Sequence, residues 1–412
     1  MTLKWRDIMK FNLNQFLLAI SDALDFVEID TLGATKFHSK RVAYISLCLA
    51  DYYNLSDDEK FDLCSFSILH DNGLCEESMI NASSQTPKAT NINILEQYTI
   101  HCDIGETNII NFPFLTNNKN IVRYHHERFD GTGFFKLQGD EIPLMAQIIS
   151  LADTVDNLFH FENISILNRA KICQFINDNE GKFYSKELVK HFNNLASKTS
   201  FWLDLQSINL EQKILDKLSD NIIDIEYEQL ITLSSVFSQI VDANSSFTSR
   251  HSSGLSEKVE KMANFYKFSY DKVSKLIIAA NLHDLGKLAI PNSILEKNGK
   301  LTHDEFETIK SHTYYTRQAL EKLDGFEEIV NWAANHHEKL NGEGYPYGIE
   351  GNKLSFEERL MTCLDIYQAL TEDRPYREGM SHEKTMEILN DQGSKGYIDF
   401  NIVKDLDKVF NP

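Results

Sequence analysis

Histidine and aspartate recur down this chain in one order, twice. The second half runs His251, His283-Asp284, His312, His336-His337 and Asp365; the first half runs His38, His70-Asp71, His101, His125-His126 and Asp153. Rung by rung, the two series are offset by 213, 213, 211, 211 and 212 residues. Five rungs of ligand-type residues at a near-constant offset mark a duplicated unit, and repetition on this scale sets the domain plan. An isolated histidine is more often a satisfied structural residue than a ligand. A whole ladder of imidazoles and carboxylates at a repeated spacing reverses that expectation. The mixture suits borderline transition metals such as Fe, Mn, Zn or Ni rather than Ca or Mg alone. Neighbours on a helix project about 100° apart, so His283 and Asp284 cannot both face one side of a single ion. They can flank a two-metal centre in which the Asp carboxylate bridges. Two metals about 3.5–4 Å apart can hold a hydroxide nucleophile and clamp both oxygens of a phosphoryl displacement.

The elements that must carry this ladder read as helices. Leu255, Val259, Met262 and Tyr266 follow the rhythm of one buried helical face, and Val42, Ile45, Leu49 and Tyr52 give the first copy a matching stripe. Leu276 to Leu282 is apolar nearly all round, which suits a helix crossing a core and delivering His283-Asp284 at its end. Ser56 with Glu59 predicts a capping box. Loops are marked at 81–91, 113–120, 130–133 and 341–351. With seven prolines in 412 residues and no convincing alternating strand run, the expected fold is all-α. It comprises tandem helical domains packed as an intrachain pseudo-dimer: a first domain over 1–210, a connecting helix over 211–235 and a second domain over 236–412. The stretch 205–240 is apolar-periodic without Pro or Gly, hence the predicted connecting helix.

Composition narrows the function classes. Two domains of about 200 residues can each bury a core. A net charge of -20 argues against long nucleic acid, which is held by clustered Lys and Arg, but leaves room for a small phosphate-bearing ligand. The six cysteines form no CxxC pair, so the spacing suggests neither a thiolate zinc site nor a disulfide framework; reduced thiols in the cytoplasm are expected. The apolar run near the N-terminus is broken by Asn12, Asn14, Gln15, Ser21 and Asp22, so neither a signal peptide nor a membrane span is expected.

Six segments in order carry a resemblance. His283-Asp284-Leu285-Gly286-Lys287, then His336-His337-Glu338, Gly342-Glu343-Gly344-Tyr345-Pro346, Asp242 to His251 upstream, and Asp365 with Arg374-Pro375-Tyr376-Arg377 downstream resemble the HD-GYP phosphodiesterases over roughly 235–405. The first half resembles a divergent HD domain, and the tandem arrangement is similar to the vibrio-type phosphodiesterases specific for 3',3'-cGAMP. The resemblance implies a bacterial enzyme that opens a cyclic dinucleotide to a linear 5'-phosphorylated one, with 3',3'-cGAMP favoured and cyclic di-GMP next. It implies His251, His283, Asp284, His312, His336, His337 and Asp365 as metal ligands, and Asp284 and Lys287 as catalytic. Lys287 would stabilise charge on a non-bridging phosphate oxygen. Arg374 and Arg377 would grip phosphate, and Gly344, Tyr345 and Pro346 would form a rigid loop over the pocket. Some members of the family carry a Glu four residues before the first ligand His, where it helps hold a third metal. Phe247 stands there in this chain, so two divalent ions (Fe, Mn or Ni) are expected. The expected partner is the cyclic dinucleotide, with a homodimer allowed and no membrane. A non-hydrolysing cyclic dinucleotide effector and an HD-type nucleotidase are the alternatives.

Aligned on the ladder, the first copy keeps every ligand type: His38, His70, Asp71, His101, His125, His126 and Asp153. Around them Lys287 becomes Leu74, Tyr345-Pro346 become Phe134-Phe135, and Arg374 and Arg377 become Glu162 and Ser165. A carboxylate in place of a phosphate clamp repels the substrate, and Leu cannot offset its charge. The first copy is therefore expected not to hydrolyse a cyclic dinucleotide. Its intact ladder leaves two readings, a second metal site or a hydrogen-bonded polar core.

Overall fold

The structure is a computed structural model that describes residues 8–32, 35–74, 99–158, 165–243, 251–297, 299–373 and 378–411. Among these the chain is helical, save for one two-stranded sheet formed by β1 (Ile8–Phe11) and β2 (Ile223–Glu226). Contacts divide it into two units. One spans Asn12–Ile223; the other joins Met1–Phe11 to Asp224–Pro412.

This division differs from the predicted boundaries at both ends. The stretch 211–235 is not one connecting helix. A short helix ends at Leu215, β2 follows, and a new helix runs Tyr227–Ala243. The apolar periodicity was real, since Leu230, Leu233, Phe237 and Ile240 are buried. What breaks the helix is β2, whose backbone pairs with β1 and draws the N-terminal residues into the second unit. In β1 Met9 and Phe11 are buried while Ile8 and Lys10 are exposed, and Lys10 Nζ pairs with Asp224 Oδ1 at 2.6 Å.

The helix Tyr270–Leu282 is the spine of the second unit, with Leu276, Ile278, Ala279, Ala280 and Leu282 buried. It packs against Tyr227–Ala243, His251–Phe265 and Glu327–Ala334. Ser269 caps its start by accepting from Lys272 N, which leaves its far end free to present ligands. In the first unit Asp57–Leu69 is the counterpart. It opens with the expected capping box, in which Ser56 and Glu59 satisfy each other's backbone N–H groups, and it packs against His38–Ala50 and Leu13–Leu32. The helix His38–Ala50 is buried on every side rather than along one stripe. Its cations survive burial by pairing: Lys40 Nζ lies 2.7 Å from Asp22 Oδ1, and Arg41 is paired with Asp156.

Candidate metal centre

In the second unit five segments converge on one buried point. His251 is the first residue of the helix His251–Phe265, and His283-Asp284 follow the end of the spine helix. His312 stands mid-way along His303–Leu320. His336-His337 follow Glu327–Ala334, and Asp365 lies in Phe356–Thr371. His251, His283 and Asp365 form one cluster, His312, His336 and His337 another, and His283, Asp284 and His336 a third that joins them. Asp284 stands between: Oδ2 is 3.1 Å from His283 Nε2, and Oδ1 is 3.4 Å from His312 Nε2. Gly286 lets the backbone close on this point. A Cβ there would lie 2.0 Å from the His312 carbonyl oxygen, too close for any other residue.

Backbone carbonyls fix the ring orientations. The Nδ1 atoms of His283, His312 and His336 face the carbonyl oxygens of Ala280, Ile309 and Ala333 at 2.7, 2.7 and 2.6 Å. Nδ1–H therefore donates outward and the Nε2 lone pair points inward, the arrangement metal-binding histidines use. His312 Nε2 and His336 Nε2 face each other at 3.4 Å. A proton cannot easily lie between them, because burial pushes His312 down to about 3 and His336 well below its usual range. Bound to one tetrahedral ion at about 2.0–2.1 Å each, two such nitrogens would sit roughly 3.3 Å apart. His283 Nε2 and Asp284 Oδ1 are buried without a hydrogen-bond partner, a condition that costs free energy unless a cation satisfies them. Burial opposes the charge on Asp284 and Asp365. The imidazoles of His283 for Asp284 and of His251 for Asp365, with Lys287 beside Asp284, nevertheless hold both carboxylates well below their usual range. The donor set fits divalent transition metal.

Three further features surround the centre. Lys287 sits on a 3₁₀ turn, Leu285–Ala289, rather than on a continued α-helix, with Nζ 2.5 Å from Asp284 Oδ2. Tyr345 lies against His337, ring centroids 4.8 Å apart, and its peptide bond to Pro346 is cis. Glu338 fastens this loop by accepting from Tyr347 N and Ile349 N, each at 2.8 Å, while Gly344 passes so close to Glu338 and Lys339 that a Cβ would meet backbone at 2.3 Å. Arg374, Arg377 and Phe247 lie outside the described residues. Glu372 went unnoticed in the sequence. Its Oε2 is 3.0 Å from His251 Nδ1, while His251 Nε2 meets Asp365 Oδ1 at 3.0 Å. Burial works against a charge on His251, but these two carboxylates raise it to about 9.

The first unit gathers its own ladder. His38, His70 and Asp153 form one cluster, with the two Nε2 atoms 3.5 Å apart. His101, His125 and His126 form another, which also contains Cys102. Asp71 again stands between, with Oδ1 3.2 Å from His101 Nε2 and 3.4 Å from His125 Nε2. Burial opposes charge on His125, yet Cys102 and Asp71 raise it to about 10: the site draws positive charge inward. His38 Nδ1 is anchored by Asp156 Oδ2 at 2.7 Å, which also holds Arg41 Nη2 at 3.0 Å. A cavity of about 610 Å³ opens over this ladder, walled by Leu74, Phe134, Phe175, Phe183 and Tyr184, with Arg128 and Lys136 at its edge. Leu74 is buried where Lys287 stands in the other copy. Ser165 caps the helix Ile166–Asp178 and points to no clamp; Glu162 lies outside the described residues.

Comparison with known proteins agrees with this duplication. A 3'3'-cGAMP-specific phosphodiesterase of Vibrio cholerae (phosphodiesterase 1) is 28% identical over 95% of this chain and 90% of its own length. A second, phosphodiesterase 3 of the same organism, is 28% identical over 92% and 91%. The cyclic di-GMP phosphodiesterase response regulator RpfG of Xanthomonas campestris is 32% identical over 45% of this chain and 48% of its own. A crystal structure of a cyclic GMP-AMP-specific phosphodiesterase from V. cholerae superposes with a TM-score of 0.69, covering 98% of both chains at 24% identity, which supports the fold. The HD domain model matches residues 29–163 and again residues 235–402, and the chain accordingly belongs to the HD domain family, with two copies of the domain in tandem.

Proposed function

We propose that the second unit is a metal-dependent phosphodiesterase that hydrolyses a cyclic dinucleotide, 3',3'-cGAMP ahead of cyclic di-GMP, to a linear 5'-phosphorylated dinucleotide. The observation that carries this reading is the pair of imidazole clusters joined through Asp284, with the Lys287 ammonium beside them. Two divalent ions (Fe, Mn or Ni) would be held by His251, His283 and Asp365 and by His312, His336 and His337, with Asp284 common to both. Bound there, the ions supply Lewis acidity and a water activated near neutral pH. The chain's own residues do the rest. Lys287 spends one ammonium donor on Asp284 and has two to offer a non-bridging phosphate oxygen. Tyr345 walls the site beside His337, on a loop held in place by Glu338. Arg374 and Arg377 are assigned to phosphate binding. The bond broken is the one from phosphorus to a 3' oxygen, which leaves as the hydroxyl. The preference for 3',3'-cGAMP is supported by phosphodiesterases 1 and 3, which match both halves of this chain; the cyclic di-GMP enzymes, like the 3'3'-cGAMP-specific phosphodiesterase 2 of the same organism, match about half of it or less.

The first unit is assigned no hydrolysis, because Leu74 replaces Lys287 and aromatic side chains wall the space above its ladder. The test is to load the full chain with Mn or Fe, incubate it with 3',3'-cGAMP, cyclic di-GMP and cyclic di-AMP separately, and separate the products by chromatography. A linear product that disappears in His283→Ala and persists in His70→Ala is expected. Binding without product would sink the reading in favour of an effector. Loss of turnover in a well-folded His70→Ala would end the assignment of catalysis to the second unit alone.

A further inference from the structure

The two ladders differ in one donor. Neighbours on a helix project about 100° apart, yet the side chains of His101 and Cys102 in the helix Thr99–Asn108 of the first unit turn toward one point, and with His125 and His126 they offer ligand atoms that all lie within 4.8 Å of one another. His101, Cys102 and His125 are essentially buried. In the second unit the position after the helical ligand His312 is Thr313. Its hydroxyl donates to the Lys310 carbonyl at 3.0 Å, so only His312, His336 and His337 remain as that cluster's donors.

We infer that His101, Cys102, His125 and His126 form a closed, thiolate-bearing site for a single soft or borderline transition ion such as zinc or cobalt. Two observations beyond the cysteine support it. His125 Nε2 and Asp71 Oδ1 are buried at this point 3.4 Å apart, with neither making a well-formed hydrogen bond, while His125 Nδ1 is tied to the Val122 carbonyl at 2.5 Å. The spacing also fits a common ion. Metal–sulfur and metal–nitrogen bonds of about 2.3 and 2.0–2.1 Å at a tetrahedral angle place sulfur and nitrogen roughly 3.6 Å apart, and Cys102 Sγ lies 3.5 Å from His101 Nε2. On binding, the thiol loses its proton to solvent and the thiolate becomes a ligand. Three protein donors leave a position open for water or substrate, whereas four close the shell. The first ladder would thus hold metal in a structural role, and thiolate would select zinc or cobalt over manganese or magnesium.

Cobalt absorption tests this on the full chain without disabling the second unit, because no other described cysteine joins a ligand cluster. The Co²⁺-loaded protein should show a near-ultraviolet sulfur-to-cobalt charge-transfer band. The band should be lost in Cys102→Ser and kept in Cys75→Ser, a control for a thiol outside the described residues. Phosphodiester turnover should persist in both. X-ray absorption on the unsubstituted zinc-loaded protein needs no variant and should show a sulfur scatterer in the metal shell. Absence of the band and of the sulfur scatterer, persistence of the band in Cys102→Ser, or its loss in Cys75→Ser would overturn the inference. Failure here would leave the second unit's activity untouched, so the two readings fail separately.

Discussion

Lys287→Met separates a residue that acts on substrate from one that only steadies a ligand. The side chain is mostly buried and its Nζ lies 2.5 Å from Asp284 Oδ2. Replacing it with Met keeps the length and removes the charge. Asp284 would remain ionised, because the His283 imidazole opposes burial before Lys287 does, and His312 adds to it. Metal content should therefore stay at the unsubstituted level. What is lost is one cation aimed where negative charge builds on the phosphoryl group. Removing one preorganised donor of this kind costs about 2.7–4 kcal/mol at the barrier, or 10²–10³ in kcat. KM should change little, since the interaction strengthens only in the transition state. The assay is steady-state hydrolysis of 3',3'-cGAMP beside metal analysis of the same preparation. A fall in kcat of less than about threefold with metal retained would refute the electrostatic role. Loss of turnover in proportion to loss of metal would refute it too, and would reduce Lys287 to a support for Asp284.

Three other perturbations test parts of the same reasoning. Glu372→Gln removes the carboxylate that accepts from His251 Nδ1; partners of metal-bound histidines are worth 10–100-fold in affinity, so chelator competition should show metal held that much less tightly, and equal affinity would remove Glu372 from the site. Asp156→Ala removes the carboxylate that neutralises Arg41 and anchors His38 Nδ1. Breaking a buried pair costs about 3–5 kcal/mol, so at about 2–4 °C per kcal/mol the first unit should melt roughly 6–20 °C lower by calorimetry, with turnover at 25 °C preserved. The chelated protein should weaken in acid: His312 has a folded value of about 3 against about 6.5 unfolded, so the unfolded chain takes up the proton first and stability falls as pH drops below 6.5. Linkage gives about 1.4 kcal/mol per pH unit, roughly 2 kcal/mol by pH 5; urea midpoints should show it, and an unchanged slope in His312→Asn would refute the cause.

The ladder was legible because its spacing repeats and because several rungs, His38, His70, His251 and His283 among them, begin or end helices whose apolar residues are plain in the sequence. Both sets of rungs come together in space, and Ser56 caps as read. What escaped follows a pattern. Glu372 and Asp156 both anchor the first histidine of their copy, yet they are 216 residues apart where the rungs are 211–213 apart. A side chain that only has to reach Nδ1 can come from a different turn, so aligning the copies does not find it. Cys102 escaped because metal-binding cysteines are sought by their spacing to other cysteines, whereas its partners are histidines from two segments. The strands β1 and β2 have four residues each, too few for alternation to stand out. They pair across more than 200 residues of chain, and that pairing also interrupted the predicted connecting helix.

Conservation of the rungs with divergence around them has a physical cause. A ladder of imidazoles and carboxylates can satisfy a buried polar core whether or not substrate reaches it, so its residues have a use that does not depend on catalysis. The residues that must meet substrate have no such second use. Lys287 became Leu74, which removes the cation and fills the space with carbon. Gly254 and Gln368 of the second unit became Arg41 and Asp156, and the two changes are coupled. A Cβ on Gly254 would lie 2.4 Å from the Gln368 amide nitrogen, so a larger residue there requires the Gln368 side chain to move or to be replaced. In the first unit the exchange yields a buried ion pair that also fixes His38. In the first unit the side chains at these two positions thus brace the first rung of the ladder, which the second unit fixes with Glu372 instead.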